Sequence, residues 1–480
     1  MDLLSHEKIL KVLLGYNPWW GNGTVPREFT RPVKRLAFYE ASKIFHHAQI
    51  RREVILSGPR RVGKTTILYQ MIEQELVNVP PKAILYVSFD HPILKLVDIG
   101  KILEIFQNNI ANDQTALYLF FDEIQYASDW DLWLKTLYDS QPSYKIMATG
   151  SASPVLAAKA TESGVGRWTL IRIPTLSFYE YIEIMGYSRP ILPQGIKPTG
   201  LNRLKQENLS ILMLSLEPLQ RHFHRYLLVG GFPEVALSDD IPFAQKIIRE
   251  DVVDKVIKRD MVSLFGIRNV AELEKIFLYL CMISGNIVVQ DTIGKEVGVT
   301  RQTVANYLEL LEQANLIYIS KPIELKGKRI LKAKSKVYLA DAAIRNAVLM
   351  QGEEVLTDSE EMGLIIETSV YKHVYSFYYA QRPEVGYFRD STTQKEIDVI
   401  VSMPMGRIII EVKYRENTSL SEKEAIMEWS RDDRTKASLI ITKNSDDYGL
   451  IPLGGTATIV KIPAFAFLYL LGHAEHEGYM

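Results

Sequence analysis

The chain has 480 residues, a length that predicts about three or four domains rather than one. Hydrophobic residues make up 47% and charged residues 24%, an ordinary composition for chains that bury several cores. The net charge of −1 excludes binding of a polyanion through bulk charge, and the single cysteine, Cys281, excludes internal disulfides and a cysteine zinc cluster. Charges interrupt the apolar N-terminal stretch, so no secretory signal is read there, and no run approaches the ~18 apolar residues of a spanning helix. The expectation is a soluble cytoplasmic protein without membrane contact.

Residues 1–46 form a lead-in with N-P-W-W and the basic stretch Arg31 to Arg35. Trp19 and Trp20 read as core packing under a sheet, or as an exposed aromatic contact. Residues 47–192 alternate strand and helix signals. VILSG, AILYVSF, LYLFFDE, KIMATG and TLIRI are short apolar runs without clean alternation, separated by helical stretches. That pattern predicts an α/β fold: a parallel sheet covered by helices on both faces. SRPILPQGIKPTG, rich in Pro and Gly, ends this unit. Residues 193–268 read as a helical connector, interrupted by the glycine turn Gly230 to Pro233. Residues 269–335 show a helix-turn-helix pattern, and 336–480 mix helix with strand.

The sequence Gly58, Pro59, Arg60, Arg61, Val62, Gly63, Lys64, Thr65 fits the phosphate loop G-x-x-x-x-G-K-[ST], with Thr66 next. It follows an apolar strand and opens a helix, the context this motif needs. Glycines let successive N–H groups turn toward phosphate oxygens, and the helix N-terminus favours the anion. Lys64 is placed to reach β- and γ-phosphates, and Thr65 to ligate magnesium. LYLFFDE supplies the second half: Asp122 as metal partner and Glu123 to polarise the attacking water. In KIMATGSAS, Thr149 or Ser151 is placed to sense the γ-phosphate, or simply turns the chain. Arg167 is a candidate phosphate contact, in its own chain or across a subunit, or an exposed structural arginine. Arg60 and Arg61 read rather as the latter.

Taken in order, LSGPRRVGKTT, FFDEIQ, ATGSAS and GR-x₆-PTLSFYEY resemble a prokaryotic AAA+-like P-loop ATPase family. YLLVGGFPEVA, the Arg259-Asp260 pair, KVYLADAAIRNAV, GLIIETSVYKHV and EIDVIV…EVKY look like that family's C-terminal half, whose function is uncharacterised. The resemblance implies ATP and Mg²⁺ as cofactors and ATP hydrolysis as the activity. Relatives of this class often form rings, so a homo-oligomer is one expected assembly.

Residues 289–316 predict a first helix with Ile293 and Val297 inward and a turn at Gly298. A second helix is capped by Thr300 and packs Val304, Leu308 and Leu311 inward. Arg301, Gln302 and Asn306 are exposed there and of types that read base edges. From Lys321 to Lys336 run six lysines, one arginine and one glutamate, which read as a basic wing for a DNA backbone. This winged helix either contacts double-stranded DNA or serves packing and protein contact.

Farther on, Glu367 lies on a helix, Asp398 on a strand, and Glu411 and Lys413 on a second strand of a hairpin. Residues 411 and 413 share a strand face. Two carboxylates beside a lysine can hold magnesium and orient water on a phosphodiester. The arrangement resembles the PD-(D/E)XK nuclease-like fold, either active or retained as an inert platform. Two expectations stand together: a DNA-associated ATPase controlling a winged-helix and nuclease-like half, or an ATP-dependent switch whose inert half binds a protein partner.

Overall fold

The computed structural model describes residues 5–151, 166–323, 334–390, 392–393, 395–455 and 457–479. The chain divides into two compact units: Met1–Ile173 with Gln313–Asn315, and Pro174–Glu312 with Leu316–Met480.

The first unit holds five strands: β1 (Glu53–Ser57), β2 (Ile84–Ser88), β3 (Tyr118–Asp122), β4 (Lys145–Gly150) and β5 (Trp168–Arg172). These are the five runs expected from sequence. They form one all-parallel sheet in the order β2-β3-β4-β1-β5. Its helices of ten or more residues are α1 (His6–Tyr16), α2 (Leu36–Phe45), α3 (Lys64–Glu75), α4 (Ile99–Asn109) and α5 (Trp130–Ser140). Alternate strand residues explain why both faces are covered. Ile55, Leu85, Leu119 and Ala148 pack with Leu13 of α1, Ile102 and Phe106 of α4, and Trp130 and Leu134 of α5. On the opposite face Phe120 meets Phe45 of α2 at 5.9 Å between rings, and Tyr86 stacks on Tyr69 of α3 at 4.8 Å. This is a P-loop NTPase core.

The lead-in is integral to this unit. Asn17 donates to Leu13 O (2.8 Å) and Tyr86 O (2.9 Å), and its Oδ1 accepts from Tyr86 N (2.7 Å). Trp19 and Trp20 both donate from Nε1 to Ile84 O, at 3.2 and 2.7 Å. Trp19 is fully buried, and Trp20 stacks on Phe106. The two rings therefore pack as expected, with their polar edges spent on the outer strand β2. Farther along, Gln70 of α3 donates to Arg31 O and Val33 O, at 2.7 and 3.1 Å.

The second unit begins at Pro174, earlier than residue 192, where the sequence places the end of the core, because the parallel sheet finishes at Arg172. Its helices include α6 (Phe178–Ile184), α7 (Gln220–Val229), α8 (Val270–Met282), α9 (Gln290–Val297), α10 (Arg301–Gln313), α11 (Ala342–Leu349), α12 (Ser359–Tyr378), α13 (Ala425–Ser430) and α14 (Ala464–Tyr479). Its strands are β6 (Ile317–Pro322), β7 (Lys336–Leu339), β8 (Glu384–Arg389), β9 (Glu396–Met403), β10 (Gly406–Lys413), β11 (Thr435–Thr442), β12 (Gly449–Gly454) and β13 (Ala457–Pro463). They make one mixed sheet in the order β12-β13-β11-β10-β9-β8-β6-β7. β8, β9 and β10 are antiparallel neighbours, α13 follows, and β11 lies parallel to β10. Along the chain, α8, a bridge from Ile287 to Lys336, α9, α10 and the β6–β7 pair follow one another. Ala464 to Leu471 of α14 are all buried, as expected of a core element. No described helix is long and apolar enough to cross a membrane.

Three motifs that carried no chemistry in the sequence meet in one buried network. Lys372 of α12 donates to Leu176 O (2.6 Å), Tyr226 Oη of α7 (2.8 Å) and Asp341 Oδ2 (2.9 Å). Asp341 also accepts from Gly231 N at 3.2 Å and Ala343 N at 3.0 Å, capping α11. His373 Nε2 accepts from Phe178 N at 3.0 Å, and its Nδ1 meets Ser369 O at 2.7 Å. The paired glycines of GGFP are required by this crowding: a Cβ on Gly230 would lie 2.1 Å from Asp341 Oδ1.

Candidate functional site

The phosphate loop joins β1 to α3. Gly58 is fixed by contact, since a Cβ there would stand 2.2 Å from Ile173 O. Arg61 and Gly63 take left-handed backbone, with φ of 61° and 91°, which curls the loop into the start of α3. Gly58, Pro59, Val62 and Lys64 are buried; Arg60, Arg61, Gly63, Thr65 and Thr66 are half-buried. Lys64 Nζ donates to Gly58 O and Pro59 O at 2.9 and 2.8 Å, so its ammonium lies over the loop it is expected to serve. Arg35, buried in the lead-in, donates from Nη1 to Val62 O at 2.8 Å and holds the loop from behind. Arg60 donates to Tyr126 Oη at 3.0 Å.

The acidic pair ends β3 beside this loop. Asp122 Oδ2 accepts from Thr65 Oγ1 (2.9 Å) and Tyr86 Oη (3.0 Å), and its Oδ1 accepts from Thr149 Oγ1. Burial, then the charge of Glu123, raises the Asp122 carboxyl above its ordinary range, while the three hydroxyl donors pull it down. Glu123 sits half-buried at φ 52°, a left-handed turn that aims it away from the strand line. Its backbone N donates to Thr149 Oγ1 at 3.0 Å, and its Oε2 accepts from Ser151 Oγ at 3.2 Å and from Gln125. Because β4 lies between β1 and β3, its end places Thr149 and Ser151 between loop and acids. An oxygen-only set of one hydroxyl and one carboxylate within 2.9 Å fits magnesium.

Arg167 is elsewhere. It precedes β5, whose strand runs parallel to β1 with Trp168 beside Glu53 and Arg172 beside Ser57. The phosphate loop follows Ser57, so Arg167 lies at the opposite end of the strands from the phosphate loop of its own chain. It forms a two-bond pair with Asp139, both bonds 3.0 Å. Sequence reading missed Tyr86 and Arg35; both are ordinary residues until the sheet order and the lead-in's path are known.

In the second unit, Ile293, Val304, Leu308 and Leu311 are buried as expected, Gly298 takes φ 83°, and Thr300 Oγ1 accepts from Thr303 N at 3.1 Å. Arg301, Gln302 and Asn306 are exposed; Gln302 donates to Asn306 at 2.9 Å, and Arg301 lies 3.7 Å from Asp291. Of the expected basic wing, residues 324–333 lie outside the described residues. Lys336 does not belong to a wing surface: its side chain is buried against Glu367 and Glu396.

Of the residues expected around a nuclease centre, Glu367 and Asp398 lie about the ammonium of Lys336, together with Glu396. Lys336 Nζ is 2.9 Å from Glu367 Oε1, 2.7 Å from Glu396 Oε1 and 3.6 Å from Asp398 Oδ1. Asp398 Oδ2 accepts from Val412 N at 2.8 Å. Glu411 Oε2 is buried without a hydrogen-bond partner, and burial with the Asp398 charge holds its carboxyl well above the usual range. Lys413, on the same strand face as Glu411, pairs with Glu424 instead.

Residues 51–182 match the family model of the AAA domain. Residues 220–355 and 362–465 match two further models, the domains of unknown function DUF8612 and DUF4143. Two uncharacterized proteins of Methanocaldococcus jannaschii, MJ1544 and MJ1637, are 25% and 26% identical to this chain. The alignments span 86% of this chain and 86% of the first relative, and 87% and 85% for the second. The solved structure of the Aeropyrum pernix ORC1 protein in complex with DNA is 12% identical, with a TM-score of 0.28, over 65% of this chain and 90% of that one. The AAA match falls on the parallel sheet and phosphate loop of the first unit.

Proposed function

We propose that this protein is a magnesium-dependent ATP hydrolase whose nucleotide state controls its second unit. The carrying observation is the hydrogen-bonded chain Thr65–Asp122–Thr149–Glu123 at the mouth of the phosphate loop. Lys64 exchanges its two carbonyl contacts for β- and γ-phosphate oxygens. Thr65 and Asp122 hold the metal, and Glu123 orients the attacking water and takes its proton. Magnesium bound there would neutralise phosphate charge. Thr149 donates to the Asp122 carboxylate and accepts from the backbone N–H of Glu123, which supports it as the γ-phosphate sensor; Ser151 steadies Glu123. Phosphate release should be measured for wild type, Lys64→Ala and Glu123→Gln. Lys64→Ala loses nucleotide binding or turnover, and Glu123→Gln binds ATP without turning it over. Unchanged hydrolysis by Lys64→Ala would sink the assignment.

The second unit is proposed as a winged helix with a nuclease-like sheet. Exposed Arg301, Gln302 and Asn306 at the start of α10 support contact with double-stranded DNA. A salt-dependent mobility shift, weakened by Arg301→Ala and Gln302→Ala, is expected. No shift at low salt would leave the protein-partner version. That second version, an inert nuclease fold within an ATP-dependent switch, is favoured by the ammonium of Lys336 among the acids. A role for Arg167 toward a neighbouring subunit's nucleotide rests on assembly into an oligomer.

A further inference from the structure

A metal-cutting centre built on Asp398, Glu411 and Lys413 needs free carboxylate oxygens converging on one point. Magnesium demands a near-octahedral oxygen shell at roughly 2.0–2.1 Å. The residues do not meet that need. Asp398 has one oxygen on Val412 N and the other facing Lys336. Glu411 has its Oε2 buried without a hydrogen-bond partner, and burial with the Asp398 charge raises its carboxyl well above the usual range, which disfavours the charged form that a metal needs. Lys413 is engaged by Glu424. Among the described residues no group of three acidic, histidine or cysteine side chains is arranged to hold a metal ion.

The position such an ion would take is close to an ammonium already in place. Lys336 and Tyr338 are two apart on β7, so both side chains leave the same face. Tyr338 donates to Glu367 Oε1 at 2.7 Å, the oxygen that also accepts from Lys336 at 2.9 Å. The Tyr387 ring lies 5.4 Å from the ammonium, with Lys336 only 4% exposed. Burial alone would favour a neutral lysine, but Glu367, Asp398 and Glu396 overcome it and hold the ammonium above the usual lysine range. The surplus negative charge is relieved in turn. Burial and Asp398 push Glu367 up to about 7, and Arg389 stands 3.6 Å from Glu396.

We propose that Lys336 is the resident cation of this centre: its ammonium takes the divalent ion's place, tying β7, α12 and β9 together and leaving the nuclease-like sheet without a metal-dependent cutting site. The inference concerns the second unit alone and stands apart from the ATPase reading.

Mn²⁺ binding to the full chain, followed by the loss of the free-ion resonance, tests it. Four proteins are compared: wild type, Glu411→Gln, Lys336→Met and Lys336→Met with Asp398→Asn. Circular dichroism checks the fold of each. Wild type and Glu411→Gln should bind equally, since neither offers a site here. Lys336→Met should gain about one Mn²⁺ per chain, because three acids lose their counter-charge, and the added Asp398→Asn should remove it. Wild-type binding that Glu411→Gln reduces would overturn the proposal. So would a folded Lys336→Met that gains nothing. If Lys336→Met does not fold, Lys336→Gln with Glu367→Gln removes one charge of each sign and repeats the gain measurement.

Discussion

Tyr86 on β2 donates its hydroxyl to Asp122 Oδ2 at 3.0 Å, on the same oxygen that accepts from Thr65. The ring is buried, stacked on Tyr69, and its backbone is pinned by Asn17. A residue outside the phosphate loop and the acidic pair thus orients the proposed metal carboxylate.

Tyr86→Phe keeps the ring and deletes this bond. One hydrogen bond to a charged acceptor contributes about 1.5–3 kcal/mol, some tenfold or more in an equilibrium. The Mg²⁺ concentration for half-maximal ATP turnover should rise by about that factor. ATP binding without metal should stay unchanged. Equal losses in both would assign Tyr86 to general stability instead.

Asn17→Ala leaves the buried Tyr86 N–H and Tyr86 O without their side-chain partner, while Leu13 O keeps the backbone N–H of residue 17. The cost should be about 2–4 kcal/mol, measured as a lower denaturant midpoint with an unchanged slope. Nucleotide binding should weaken less than stability, because Asn17 touches no loop residue directly.

Arg167→Ala should leave ATP turnover within about twofold in dilute protein, as expected of a surface change far from the phosphates. A collapse of turnover that appears only as concentration rises would place this guanidinium in a neighbour's site. A collapse at every concentration would contradict the sheet register given above.

His373 gives a pH effect of defined sign. Burial first, then the adjacent Lys372 ammonium, depresses its imidazole well below 6.5. The fold therefore keeps it neutral while the unfolded chain takes a proton below about 6.5. Its contribution to stability is present above that pH and is lost as pH falls toward the depressed folded value. Glu367 has the opposite sign: raised to about 7 in the fold, it adds stability as pH falls from about 7 toward 4.5. The denaturant midpoint of wild type minus that of His373→Gln, from pH 7.5 to 5.5, isolates the histidine and should shrink with acid. A constant difference would refute the assignment.

The phosphate site was legible because its parts are contiguous in sequence. A glycine loop after a strand, or Asp122-Glu123 after an apolar run, carries its own context. The five strands were legible for the same reason: buried parallel strands are short unbroken apolar runs. For Arg167 the sequence leaves three readings open, and the expected topology already bears on the one within its own chain. A residue before a strand parallel to β1 must lie opposite the loop after β1. Lys336 was read as part of a basic surface because charge density says nothing of direction. Its burial depends on Glu367 and Glu396, 31 and 60 residues away in sequence, and no local pattern reports such partners. Tyr226, Asp341 and Lys372 lie within recognisable motifs, yet their meeting point depends on three separate helix and strand ends coming together.

The carboxamide of Asn17 has a consequence for how copies of this protein can associate. By offering one acceptor and one donor to Tyr86, it imitates a residue of a neighbouring strand, while the indole N–H groups of Trp19 and Trp20 occupy the next carbonyl. The outer backbone of β2 is thereby closed to templated growth by a foreign extended segment, the usual hazard of an open sheet margin. Assembly through this flank must proceed by side-chain complementarity, and loss of the three anchoring groups should show itself as turbidity on warming before any loss of secondary structure.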